Sequence, residues 1–359
     1  MLSGLFSLPT RFDTISWHAH EFLFGYLGAI IAGFLLTAVP NWTGRLPVVG
    51  WNLAGLFGLW IAGRIGIATA ALLPSGVGTL IDLSFPVVLA AVLLREILAV
   101  KNWRNLVVLA LLLVFILANA VFHLEAARGN VAAHGIGLRI GVAAVIMMIA
   151  VIGGRVIPSF THNWLVKRGV TNLPVPPMQR FDKAILLTTI PVLLLWVVAP
   201  VDAVTGIALL IIGLLHGVRL FRWQGTQTLK EPLLWVLHAG YAFVPLGALL
   251  EAFSILKPGL FAVAGAQHLW MAGAFGLMTL AMMTRATLGH TRQELRAGRG
   301  TTAIYGFLIG SVLARLAAAV WIGSAMTFYV VAATLWFGGF FGFAVIYGPL
   351  LMKPKPARS

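Results

Sequence analysis

Leu106-Val-Val-Leu-Ala-Leu-Leu-Leu-Val-Phe-Ile-Leu-Ala-Asn-Ala-Val-Phe-His123 carries a single amide and a single imidazole among otherwise apolar side chains. An α-helix rises 1.5 Å per residue, so a run of this kind, about 20 residues with its flanks, crosses a ~30 Å hydrocarbon core. It is also far too long for a barrel strand. Eleven such runs can be marked along the chain, at roughly 21–40, 50–73, 77–98, 105–124, 132–154, 183–200, 203–222, 232–253, 259–286, 303–323 and 327–350. Pro40 and Gly44, Pro74 and Ser75, Pro200 and Asp202, Pro232, and Lys257-Pro258 punctuate them.

Composition agrees. Hydrophobic residues make up 60% of the 359 and charged residues only 10%, with a mean hydropathy of +0.96. A soluble domain of this size could not cover its surface with so few polar groups. The expected fold class is therefore all-α, a polytopic transmembrane helix bundle of about eleven helices, in one integral membrane domain over 1–359. The absence of cysteine excludes disulfides, thiolate-ligated haem and cysteine-held iron–sulfur clusters. No cleavable signal peptide is evident in the first fourteen residues.

The net charge of +15 sits mostly in short connections rather than in one patch, which argues against a nucleic-acid partner. Nineteen of the 25 lysines and arginines fall on one side, among them Arg95, Lys101, Arg155, Lys167, Arg168, Arg219, Arg222 and Arg292. Only Arg11, Arg128 and Lys257 fall on the other, and Arg64, Arg139 and Arg315 lie within helices. The positive-inside rule then places the C-terminal tail (351–359) and the longest connection (155–182) in the cytoplasm.

With that orientation His18, His20, His123 and His134 fall at the outer boundary, and His268 lies roughly 13 Å below the outer end of its helix. His216 and His238 occupy an inner layer within helices, and His162 and His290 read as solvated loop residues. The three intramembrane arginines fall in the outer layer too. Ionisable groups inside a membrane are costly enough to mark function. Imidazole is the commonest ligand for haem iron and copper, and guanidinium suits a haem propionate. The candidate cofactor residues are therefore His20, His268, Arg64, Arg139 and Arg315, and the candidate metal ligands His18, His20, His123, His134 and His268. The plainer alternative for each arginine is an ion pair with Asp82, Glu21, Glu125 or Glu251, or snorkelling outward.

His18 and His20, two residues apart, would point about 200° away from each other on a helix. His268 is the best single candidate for axial haem ligation. His123 and His134 flank one short loop and could converge on copper. His216 and His238 form either a structural pair or a second site.

Several stretches together resemble one family. They are Trp17-His-Ala-His-Glu-Phe-Leu-Phe-Gly25, Ala32-Gly-Phe-Leu-Leu-Thr-Ala-Val-Pro-Asn-Trp-Thr-Gly44, Asn119-Ala-Val-Phe-His-Leu-Glu125, Gly153-Gly-Arg-Val-Ile-Pro-Ser-Phe-Thr161, Leu237-His-Ala-Gly-Tyr241 and Met278-Thr-Leu-Ala-Met-Met-Thr-Arg-Ala-Thr-Leu-Gly-His-Thr291. In this order, over nearly the whole chain, they resemble the NnrS family. The resemblance implies a multi-pass protein of the bacterial inner membrane that contains b-type haem and copper. It also implies a link to nitric oxide metabolism and to protection against nitrosative stress. Members usually carry a further helix before the His-Ala-His motif, giving twelve and an inside N-terminus. Counted that way, the histidines fall on helices two, six and ten, plus the end of five; helices two, six and ten also carry cofactor ligands in haem–copper oxidase catalytic subunits, an analogy of fold only. The adjacent histidine pair such oxidases carry on helix seven is absent, and Pro191 and Trp196 stand on the corresponding helix instead.

Three functions compete. In the first, the protein binds or processes nitric oxide or iron–nitrosyl species as an oxidoreductase, with an external electron donor, within membrane lipid. His20 and His268 then hold the haem, the arginines meet its propionates, and His18, His123 and His134 offer a second metal site. In the second it is a gas sensor or scavenger that only binds. In the third it is a transporter of copper or haem, a reading weakened because no internal repeat is visible in the sequence.

Overall fold

The computed structural model describes residues 7–259 and 262–352. Among them eleven helices are long and apolar enough to cross a membrane, one for each expected run. They are α1 (Thr14–Thr43), α2 (Trp51–Ala68), α3 (Val77–Ala99), α4 (Leu106–Ala127), α5 (Ile136–Val166), α6 (Arg180–Val198), α7 (Ala203–Phe221), α8 (Pro232–Leu256), α9 (Val263–His290), α10 (Arg299–Val320) and α11 (Ala325–Met352). The described residues contain no strand, and the fold is an all-α polytopic membrane protein. Leu80, Leu187, Leu194 and Ile211 are each more than half exposed. Apolar exposure on this scale suits acyl chains rather than water.

Helix ends differ from expectation where caps or proline-tolerant turns extend them. Asp13 accepts hydrogen bonds from the amides of Ile15 and Ser16 and starts α1 before the His-Ala-His motif. Both histidines of that motif therefore lie inside the helix. At its other end Gly44 takes a left-handed conformation (φ 69°) and closes α1 through its amide on the Pro40 carbonyl. α5 runs on through Pro158 to Val166, so the connection to α6 spans 167–179 rather than 155–182, and His162 is helical. Of the expected tail 351–359, Leu351 and Met352 end α11, and 353–359 lie outside the described residues.

The chain divides into two compact units, Met1–Met148 and Ile149–Ser359. In the first, glycines let helices touch. A Cβ on Gly78 of α3 would lie 3.2 Å from the Gly66 carbonyl of α2, and one on Gly63 would lie 3.3 Å from the Asp82 Cα. Gly137 of α5 presses on α4, where a Cβ would lie 2.5 Å from the Phe122 amide nitrogen. Glu125, a candidate counter-ion for the arginines, instead caps α5 by accepting from the amides of Ile136 and Gly137.

The core of the second unit is built on large side chains from α8 to α11 and the segment after α7. Trp223, Leu237, Tyr241, Leu280, Tyr305 and Tyr347 are all essentially buried. Its tyrosine hydroxyls are satisfied: Tyr305 pairs with Thr284 at 2.5 Å and Tyr347 with Thr301 at 2.8 Å.

Candidate metal centre

Three side chains of the first unit converge in its interior. His20 of α1, Asp82 of α3 and His123 of α4 are all buried, and one ligand atom from each lies within 4.8 Å of the others. His20 Nε2 stands 3.3 Å and His123 Nε2 3.1 Å from the same Asp82 oxygen, Oδ2. Bonds of about 2.0–2.2 Å in a tetrahedral shell set neighbouring ligand atoms about 3.3–3.6 Å apart. The two histidine–carboxylate distances lie at or just below that range.

The remaining polar atoms hold this geometry. Asn119, one turn before His123 on α4, donates to Asp82 Oδ2 at 2.7 Å and offers its Oδ1 to His20 Nε2 at 3.1 Å. The other ring nitrogen of His20 meets Glu21 Oε1 at 3.2 Å, and that of His123 meets the Thr79 hydroxyl at 3.2 Å. Metal-ligating histidines are ordinarily fixed in this way through their second nitrogen. Both nitrogens of His20 thus face oxygen atoms. Arg64 of α2 donates to Glu21 at 2.6 Å and to Asp82 Oδ1, joining both carboxylates.

Local structure explains the placement. Pro86 lies four residues beyond Asp82 and has no N–H for its carbonyl, so α3 lacks that ladder bond at the ligand. Phe12 lies over both imidazoles, with centroids 5.0 Å from His20 and 5.3 Å from His123. Its segment is tied down by Arg11, which donates to the carbonyls of Ala70 and Leu73 at 2.9 Å each.

The other sequence candidates lie elsewhere. His18 is exposed on the opposite side of α1 from His20, as their spacing requires. His134 is also exposed, and its carbonyl accepts from Arg139 Nη1 at 2.8 Å. The described residues do not bring either of these histidines into the cluster. His268 belongs to the second unit. Its Nδ1 donates to the Ala264 carbonyl at 2.5 Å, while Arg315 Nη2 donates to its Nε2 at 2.5 Å. The guanidinium of Arg315 lies 4.4 Å over the Tyr329 ring, and no carboxylate pairs with it among the described residues.

Two features escaped the sequence reading. The first is a matched pair of π-helical segments, Glu21–Tyr26 and Leu269–Leu277, each beginning immediately after a histidine. His20, Gly25 and Gly28 share their spacing with His268, Gly273 and Gly276. π-turns inside helices concentrate at functional sites. The second is a buried polar chain in the second unit. Arg219 is fully buried and donates to Asp182 Oδ1, to the Ala150 carbonyl and to the Tyr241 hydroxyl, at 2.8, 2.9 and 2.8 Å. Tyr241 in turn bonds His216 Nδ1 at 2.8 Å, and His216 Nε2 meets Thr189 at 3.0 Å. His216 is therefore tied to Tyr241 and Thr189, whereas His238 pairs with Thr161 at 2.9 Å.

No curated protein and no solved structure matches the chain. One family profile does, described as NnrS protein, and it covers residues 1–355. Matched over nearly its whole length, the chain belongs to the NnrS family.

Proposed function

We propose that His20, Asp82 and His123 hold one copper ion, and that this centre binds or processes nitric oxide in the bacterial inner membrane and protects against nitrosative stress. Family membership already makes the chain a nitric-oxide-related membrane protein. The finer reading is carried by one observation, the convergence of two imidazoles and a carboxylate, all buried, on one point. Imidazole with carboxylate suits copper, and iron or zinc as well. When bound, the ion supplies a redox-active Lewis acid with open positions.

The chain's own residues prepare that point. His20 and His123 present their Nε2 atoms, and Asp82 offsets positive charge. Arg64 and Asn119 orient the carboxylate, while Phe12 and Phe122 keep water from the imidazoles. The His123→Ala protein is expected to lose its copper while keeping its helical circular dichroism. Metal analysis of detergent-purified protein checks this, and undiminished copper would sink the assignment. Iron in place of copper would keep the site and change the metal.

His268 is the residue that would hold a b-type haem in this reading. The bond from Nδ1 to a backbone carbonyl leaves Nε2 as the acceptor nitrogen, the atom that would meet a haem iron. Arg315 occupies Nε2 in this structure and would pair with a propionate once displaced from it. When bound, haem supplies an iron that takes up nitric oxide. Arg64 already holds two carboxylates, so it serves the metal cluster. The His268→Ala protein is expected to lose its reduced-minus-oxidised haem bands, and full retention would remove His268 from this role. The cytoplasmic placement of the C-terminus rests on the loop charges, even with the buried Arg219 withdrawn from the count.

A further inference from the structure

We infer that Pro9–Phe12 is a strap over the metal centre of the first unit, and that a cation enters and leaves that centre past the Phe12 ring. The centre lies close to one end of all three helices that build it. His20 stands six residues beyond Thr14, where α1 starts, and Asp82 five beyond Val77, where α3 starts; His123 stands four before Ala127, where α4 ends. At 1.5 Å per residue these are depths of roughly 6–9 Å, against about 25–35 Å to the opposite ends. The loop charges place the near end on the outer side.

Phe12 stands in this short way out. Its ring covers both imidazoles and meets Phe122 edge-on at 5.5 Å, yet it is only half-buried, and Arg11 and Asp13 on either side of it are exposed. The cover is thin: His123 keeps 6% of its side-chain surface open with the ring in place.

What holds the ring down is polar and lies at the surface. The Pro9 carbonyl accepts from the Ala71 amide at 2.8 Å, and both Arg11 bonds go to carbonyls of the same turn between α2 and α3. Hydrogen bonds of exposed groups exchange with water at small net cost. Asp13 caps α1 directly after the strap, so the segment lifts without unwinding that helix. Passage of copper along this route rests on the copper reading above; the cover over the imidazoles does not.

Two measurements on the full chain in detergent test the strap. In the first, metal-free protein is treated with diethylpyrocarbonate, which acylates accessible imidazole, and each histidine is followed by peptide mass mapping. Phe12→Ala is expected to raise the rate at His20 and His123 several-fold and to leave the buried His216 of the second unit unchanged. Arg11→Gln, which keeps the ring and removes the guanidinium, should raise it less; it carries the test if the alanine variant loosens His216 as well. In the second, uptake of copper(II) and its removal by a chelator are timed. Both rates should rise together in Phe12→Ala with Kd nearly unchanged, because a gate alters the barrier and not the end states. Faster release with unchanged uptake, and so weaker binding, would make Phe12 a packing residue and overturn the strap. Acylation of His20 and His123 at the native rate in both variants would overturn it too. Faster acylation in a protein that takes up no copper would keep the strap and remove the metal reading alone.

Discussion

The Asp182→Ala protein is expected to be less stable than the native chain by about 3–5 kcal/mol, the cost of leaving one partner of a buried ion pair alone. Arg219 has no access to solvent, and among the described residues only Asp182 forms an ion pair with it, at 2.8 Å. One of its terminal nitrogens, Nη2, has no acceptor, and Gly154 leaves room for it only by lacking a side chain: a Cβ there would lie 2.0 Å away. Asp182 also accepts from the Gln179 amide at the start of α6, so alanine removes a helix cap worth about 1 kcal/mol as well. The double replacement Asp182→Leu with Arg219→Met should recover most of the loss, because it removes both buried charges together. Unfolding in a detergent series checks both, and a native-like Asp182→Ala midpoint would show that the pair is not structural.

What could be read from the sequence divides along physical lines. The eleven helices were legible because a ~30 Å hydrocarbon core demands long apolar runs and tolerates few alternatives. His20 and His123 were legible because an imidazole inside such a run stands out. Asp82 was seen only as one of four acids that could pair with the intramembrane arginines, yet it is both the counter-ion of Arg64 and the carboxylate shared by the two histidines. Its position within an apolar run, four residues before Pro86, was the available hint. His134 misled because proximity along a loop was read as convergence, whereas the turn leaves it exposed.

Two further misses share a cause. Arg219 was counted as an orienting charge because it stands near the end of a span, and nothing local marks it as buried. Only the packing of α6, α7 and α8 around Asp182 and Tyr241 reveals that. The π segments are invisible to a search for a 3.6-residue period, because the extra residue per turn shifts the register within a uniformly apolar run. A comparison of His20-Gly25-Gly28 with His268-Gly273-Gly276 spacing would have exposed the matched pair.

Asp82→Ala is expected to empty the metal centre and to destabilise the first unit by about 3–5 kcal/mol. The carboxylate takes hydrogen bonds from Arg64, His123 and Asn119 and lies within ion-pair distance of His20, so alanine strips four side chains of a common acceptor. Graded replacements separate metal binding from folding. Asp82→Asn keeps the shape and one acceptor oxygen, so it should retain more of the fold than alanine while losing the charge that favours a cation. Thr79→Val removes only the group that meets the second nitrogen of His123. Losses of about 10–100-fold in metal affinity are typical of such outer partners. The expected order of copper affinity is native, then Thr79→Val, then Asp82→Asn, with none measurable for Asp82→Ala. Titration against a competing chelator, with unfolding followed on the same samples, reads both quantities. Were Asp82→Ala to keep copper at native affinity, Asp82 would be only the anchor of Arg64, and the ligands would have to be sought among the histidines alone.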